Sequence, residues 1–201
     1  METAMIAPLR SFKLLLVLLL PLLGTAAGKA QEVKDSLAKV HFEIRQKNWE
    51  NASRVLANLE KTGGCKPAAC LVVHALIADG TGAGPQAVDF ARQALAAGQG
   101  SGLDVAYLND LGVLLCRRAE GKRELLQLAE TTLRHADSIY TGGASNIRYN
   151  LAKVLQKLGQ NGQAKEIMKK LEAEGLLINP GMAILGDFKG VGAPIQRVLP
   201  Q

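Results

Sequence analysis

The feature that most constrains this chain is a recurrence. Four times, a small Ala is followed by an apolar or small residue four positions on and another three further: Ala52/Leu56/Leu59, Ala87/Ala91/Ala94, Ala129/Leu133/Ala136 and Ala164/Met168/Leu171. The first members lie 35, 42 and 35 residues apart. Spacing of i, i+4, i+7 places each trio on one helical face, and a small leading residue lets a neighbouring helix come close. Upstream of each trio, another amphipathic stretch runs into a turn: Lys47-Asn48, Gly80-Thr81-Gly82, Glu120-Gly121 and Gly159-Gln160-Asn161-Gly162. The unit is therefore a helix–turn–helix of about 34 residues. One such hairpin cannot bury its apolar face alone, whereas a stack of hairpins can. Composition agrees with an all-α fold. Apolar residues are 48% of the 201, enough for a core, but aromatics are only 4%, too few for an aromatic-rich β-sandwich.

A unit of this length and pattern resembles the tetratricopeptide repeat. The resemblance is clearest in the fourth unit, where Leu151, Ala152, Leu155, Gly159, Ala164, Met168 and Leu171 stand at the family's key spacings without a gap. The second unit supplies Ala75, Gly82, Ala87, Ala91, Ala94 and Leu95, and the third Leu111-Gly112 and Leu115. A longer turn in the third unit is the expected source of the 42-residue spacing. The first unit keeps Trp49 at the aromatic position of its turn, but its first helix is organised by Val33, Leu37, Val40 and Ile44 instead. The resemblance implies an α-solenoid of about four repeats over residues 31–175, with a concave side lined by the first helices.

Two segments flank this array. Arg10 and Lys13 precede an apolar run from Leu14 to Leu23, followed by small residues through Ala30. A positive start, a short apolar stretch and a small-residue exit read as a secretory signal peptide over residues 1–30, cleaved after Ala27 or Ala30. The run is too short to span a bilayer, and no transmembrane segment is expected in the mature chain. Export to a periplasm or to the exterior follows. Loss of Arg10, Lys13, Lys29 and Glu2 lowers the formal charge from +6 to +4, which argues against nucleic acid as a partner. Residues 176–201 carry Pro180, Pro194 and Pro200 with scattered Gly and no helical period, so they read as an irregular tail. Its apolar stretches Met182–Leu185 and Ile195–Leu199 suit partial packing against the last hairpin as extended segments; a mobile tail that binds elsewhere is the alternative.

Chemistry is sparse. Cys65 and Cys70 bracket Lys66-Pro67-Ala68-Ala69. In an oxidising compartment they can pair as a structural disulfide; two free thiols or a redox dithiol are the alternatives. Cys116 reads as a small buried residue. His74, inside Leu71–Leu76, is expected in the interior. His41, His74 and His135 fall on different hairpins with no metal-ligand spacing, and no nucleophile elbow, phosphate loop or His-Glu-x-x-His occurs. No enzyme activity, cofactor or metal is expected.

Ligands of the resembled family are usually peptides or helices held by first-helix side chains. Carried over, those positions are His41 and Arg45; Val72, Val73 and Leu76; Asn109, Asp110, Val113 and Arg117; and Tyr149, Asn150, Lys153 and Lys157. The Asn109 and Asn150 amides can both donate to and accept from a peptide backbone. Leu37 and His41 stand where the carboxylate-clamping subclass needs polar donors, so that subclass is not implied. The expectation is an exported, non-catalytic scaffold binding a protein or peptide, in assembly of an envelope or secreted complex. The alternative is a homo-oligomer that self-associates through its last hairpin and tail.

Overall fold

The computed structural model describes residues 35–99, 103–140 and 145–174. The expected signal peptide and the tail 176–201 lie outside the described residues. Within them are eight helices and no strand. The first, α1, covers 35–45; then follow α2 (Trp49–Lys61), α3 (Pro67–Gly80), α4 (Gly84–Gly98), α5 (Val105–Arg118), α6 (Arg123–Ile139), α7 (Ser145–Lys157) and α8 (Asn161–Ala173). The chain is all-α and repeat-like.

Local chemistry sets the helix ends. Pro occupies the first turns of α3 and α4, where its missing N–H is not needed. The Asp104 carboxylate caps α5 by accepting from the Ala106 N–H at 3.1 Å. Three hairpin turns share one geometry. Lys47, Gly82 and Gly159 all have positive φ, of 58°, 86° and 80°. Each is followed by a residue whose N–H donates five positions back: Asn48 to Glu43, Ala83 to Ala78 and Gln160 to Leu155. That, with the positive-φ residue itself donating three positions back, is the Schellman motif, which satisfies the last carbonyls of one helix while reversing the chain. The third turn has two consecutive positive-φ residues, Glu120 and Gly121, and one more linking residue than the others. It explains little of the 42-residue spacing. Most of the excess is helical, because Ala129 lies about one turn deeper into α6 than Ala87 does into α4, and α4 itself is longer than α2.

The trios form the inner seam of the stack. Eleven of their twelve residues are buried, and Met168 is partly so. Within the hairpins, α3 packs on α4, α5 on α6 and α7 on α8; between them, α2 meets α3, α4 meets α5 and α6 meets α7. First helices also touch, α3 with α5 and α5 with α7. Glycines permit two of these approaches. A Cβ on Gly112 would stand 2.6 Å from Leu133 Cγ, so α6 rests directly on the α5 backbone. Gly80 likewise makes room for the Trp49 ring at the junction of α2 and α3.

Candidate binding face on the first helices

Helical spacing arranges a polar row on α7 and a mixed row on α5. On α7, Asn146, Asn150, Lys153 and Lys157 recur at i, i+4, i+7 and i+11; on α5, Ala106, Asp110, Val113 and Arg117 do the same. The α7 row meets α5 at Asn109 and Cys116, beside and not on the α5 row, and these contacts run the two helices parallel. Near their starts the Asn150 Nδ2 donates to Asn109 Oδ1 at 2.8 Å. Near their ends Lys157 and Lys153 lie close enough to Cys116 to pull its thiol pKa down, against burial, which pushes it up more strongly. Burial changes along the stripe. Asn146, Asn150, Asn109, Asp110 and Tyr149 are buried, whereas Lys153 is half-buried and Lys157 exposed. Asn146 is 1% exposed, yet neither its Oδ1 nor its Nδ2 has a hydrogen-bond partner. An amide in that condition carries a desolvation cost of about 1–3 kcal/mol.

The other expected face residues divide the same way. Val72, Val73, Leu76 and Val113 are buried core, Arg45 is exposed, and Arg117 is engaged elsewhere. His41 is buried, its Nε2 hydrogen-bonded to the Tyr107 Oη at 2.9 Å, which ties α1 to α5. Burial, with help from Arg45 and against Asp104, lowers the His41 pKa to about 4. The Tyr107 phenol is pushed well up by burial and by Asp104 and Asp110, so it stays protonated as a donor. His41 Nδ1 is buried without a partner. The imidazole is therefore neutral at ordinary pH and takes a structural place between two first helices.

One cluster was not anticipated from spacing. Asp79, at the end of α3, has a carboxylate only 1% exposed. Arg118 Nε donates to its Oδ1 at 2.6 Å and Arg117 Nη1 to its Oδ2 at 3.1 Å. Arg118 Nη2 also donates to the Asp79 backbone carbonyl at 2.7 Å. Arg118 fastens hairpin two to hairpin three through Asp79, and the weaker Arg117–Asp79 pair draws Arg117 away from the free face that its stripe position implied. A signal was present: an acid inside the apolar run Leu76–Ala78–Asp79, and adjacent arginines at the matching end of the next first helix.

His74 differs from its interior reading. It is partly exposed at the edge of α3, hydrogen-bonded through Nε2 to Glu60 Oε1 at 2.8 Å and stacked on Phe90 with ring centroids 5.1 Å apart. Cys65 and Cys70 are joined, with Cα atoms 5.9 Å apart, across the start of α3. Cys116 is buried and free.

Clefts elsewhere are shallow. One of about 550 Å³ lies between the starts of α4 and α6, lined by Gly84, Val88, Arg92, Arg118, Lys122 and Glu124, with charges of both signs. Another, about 460 Å³ and mainly apolar, lies among Leu95, Leu103, Leu108, Leu128 and Thr132. Among the described residues no three His, Cys, Asp or Glu side chains converge as a metal site, and no helix is long and apolar enough to cross a membrane. No family model, curated protein or solved structure matches this chain.

Proposed function

We propose that this chain is an exported, non-catalytic scaffold of tetratricopeptide type whose first-helix face binds a segment of another protein. The observation that carries the reading is the α7 row, in which the unbonded amide of Asn146 leads along one helical face to the solvent-facing Lys153 and Lys157. Asn109 and Asn150 are engaged with each other, so the amide whose donors and acceptor are unbonded on this row is that of Asn146. Lys153 and Lys157, continuing the same stripe towards solvent, favour an acidic flank in the partner and raise its encounter rate. Further support comes from the order of packing, since first helices contact first helices and each second helix hands over to the next hairpin. The signal-like start and the pairing of Cys65 with Cys70 agree with an oxidising compartment.

The test is charge reversal. A tagged full chain is expressed in its own cell, cross-linked, and recovered. Lys153→Glu with Lys157→Glu is expected to reduce recovery of a specific partner at least tenfold, while reversal of Lys165 and Lys169 on the exposed side of α8 leaves it unchanged. Equal recovery from both double variants overturns the reading.

A further inference from the structure

We propose that the cleft between the starts of α4 and α6 is a binding site for a small zwitterion, an α-amino acid or a short peptide. Its walls are second helices, with Arg118 at the end of α5 between them, and no residue of the α7 row lines it. The site is therefore separate from the proposed partner-binding face.

The site is built on a guanidinium with donors to spare. An arginine side chain carries five N–H groups in one plane. In Arg118, Nε and Nη2 each donate to Asp79, at 2.6 Å to the carboxylate and 2.7 Å to the backbone carbonyl. Both acceptors belong to one residue, so both bonds leave from one edge of the fork. The opposite edge, formed by Nη1 and the second proton of Nη2, has no partner among the described residues. It presents two parallel N–H bonds, the spacing that the two oxygens of a carboxylate match. The fork is also held in place. The Asp79 carboxylate that grips it is 1% exposed, and a Cβ on Gly84 would stand 3.1 Å from Nη1 and 3.5 Å from Cζ. The guanidinium thus rests against the first residue of α4, oriented before a ligand arrives, which spares the ligand the cost of ordering it.

The remaining lining decides what carries the carboxylate. Arg92 stands on the α4 wall and Lys122 at the start of α6, neither in an ion pair among the described residues. Asp89 and Glu124, on the same two walls, are equally unpaired. A bare anion would gain from Arg118 and Arg92 but meet Asp89 and Glu124 in the same space, and a bare cation would meet the converse. One molecule bearing both charges pairs with both sets: its carboxylate on the Arg118 fork, its ammonium towards Asp89 or Glu124. Pro85, Val88 and Leu125 supply apolar lining for an aliphatic side chain. The volume of about 550 Å³ falls within the range of small-ligand sites.

Titration of the ¹⁵N-labelled full chain, followed by NMR, tests this. Each standard α-amino acid and the dipeptide Leu-Leu are added in turn, with inorganic phosphate as the anion-only probe. Saturable shifts of the Arg118 Nε–Hε and Gly84 amide signals are expected for at least one zwitterion. Tighter binding of leucine than of Leu-Leu assigns the site to free amino acids, and the reverse order to peptides. The C-terminal amide and the N-acetyl derivative of the tightest binder each lack one charge and should bind at least tenfold more weakly. Two variants locate the contacts. Asp89→Asn with Glu124→Gln, at exposed positions, should weaken binding at least tenfold without lowering the melting temperature. Gly84→Ala, which sets a methyl group against Nη1 on the free edge of the fork, should weaken it about as much. No saturable shift from any zwitterion, phosphate binding as tight as theirs, unweakened binding of either derivative, or unchanged affinity in either variant overturns the proposal. Lys153→Glu with Lys157→Glu should leave this titration unaltered, so its failure and failure of the partner-face reading are separate results.

Discussion

Removal of the Asp79 carboxylate is the sharpest test of how the hairpins are held together. Asp79 accepts three contacts' worth of guanidinium contact through its side chain and backbone, but the three are not equivalent. Arg117 is 47% exposed, so its 3.1 Å pair is screened and contributes at most about 1 kcal/mol. Arg118 is 23% exposed and donates at 2.6 Å to an oxygen shielded from water, a charge-assisted bond of about 1.5–3 kcal/mol. In Asp79→Ala, Arg118 retains its bond to the residue-79 carbonyl and can recover some hydration. The loss is therefore expected at about 2–3 kcal/mol, below the 3–5 kcal/mol typical of stranding a fully buried charge. For a chain of this size that is a fall in melting temperature of about 5–10 °C. Urea unfolding followed by circular dichroism supplies the measurement. Asp79→Asn should cost about half as much, Arg118→Ala nearly as much as Asp79→Ala, and Arg117→Ala under about 1 kcal/mol. Because the contact joins two hairpins, the variant should also unfold with a shallower urea slope as the array loses cooperativity. A melting temperature within 2 °C of the parent, or strictly additive Asp79 and Arg118 effects in a double-mutant cycle, refutes the reasoning.

Three further outcomes are expected. The His41 pKa is lowered from 6.5 to about 4 in the fold, so the unfolded chain binds the extra proton between those values. Stability is full above about pH 6.5 and falls by about 3 kcal/mol as pH drops to 4; His41→Phe should flatten that dependence in urea titrations. Gly112→Ala places a Cβ against Leu133 and should cost about 1–3 kcal/mol, partly rescued by Leu133→Val, as judged by thermal melts. Reduction of Cys65–Cys70, or the paired Ser substitution, should remove about 2 kcal/mol from closure of a short loop. In the same native sample Cys116 should resist alkylation until the chain unfolds.

The repeat period was legible because it is written in local spacing. Ala at the head of each trio and Gly or Lys at each turn act within four or five residues, and those rules transfer directly from chain to structure. What spacing cannot carry is pairing between hairpins. His41 meets Tyr107 across 66 positions, and Asp79 meets Arg117 and Arg118 across 38 and 39. Those contacts depend on how far each first helix is rotated in the stack, which no single hairpin encodes. The same gap explains the face residues. Asp110 and Asn150 occupy the rows that periodicity assigns them and Asn109 lies beside one, but the burial of all three is set by neighbouring helices and not by their own polarity. His74 shows the converse: an apolar run on both sides suggested an interior place, yet Glu60 and Phe90 hold it at the edge of α3.

The Asp79–Arg118 fastening also limits how such a chain can be rearranged. A hairpin array invites shuffling, since every unit shares the same fold and three share one turn geometry. Here the units are not interchangeable parts. Removing hairpin two would leave Arg117 and Arg118 without the Asp79 carboxylate, and placing hairpin four after hairpin two would leave Asp79 without either guanidinium. The junction of α3 with α5 is an address that admits one neighbour.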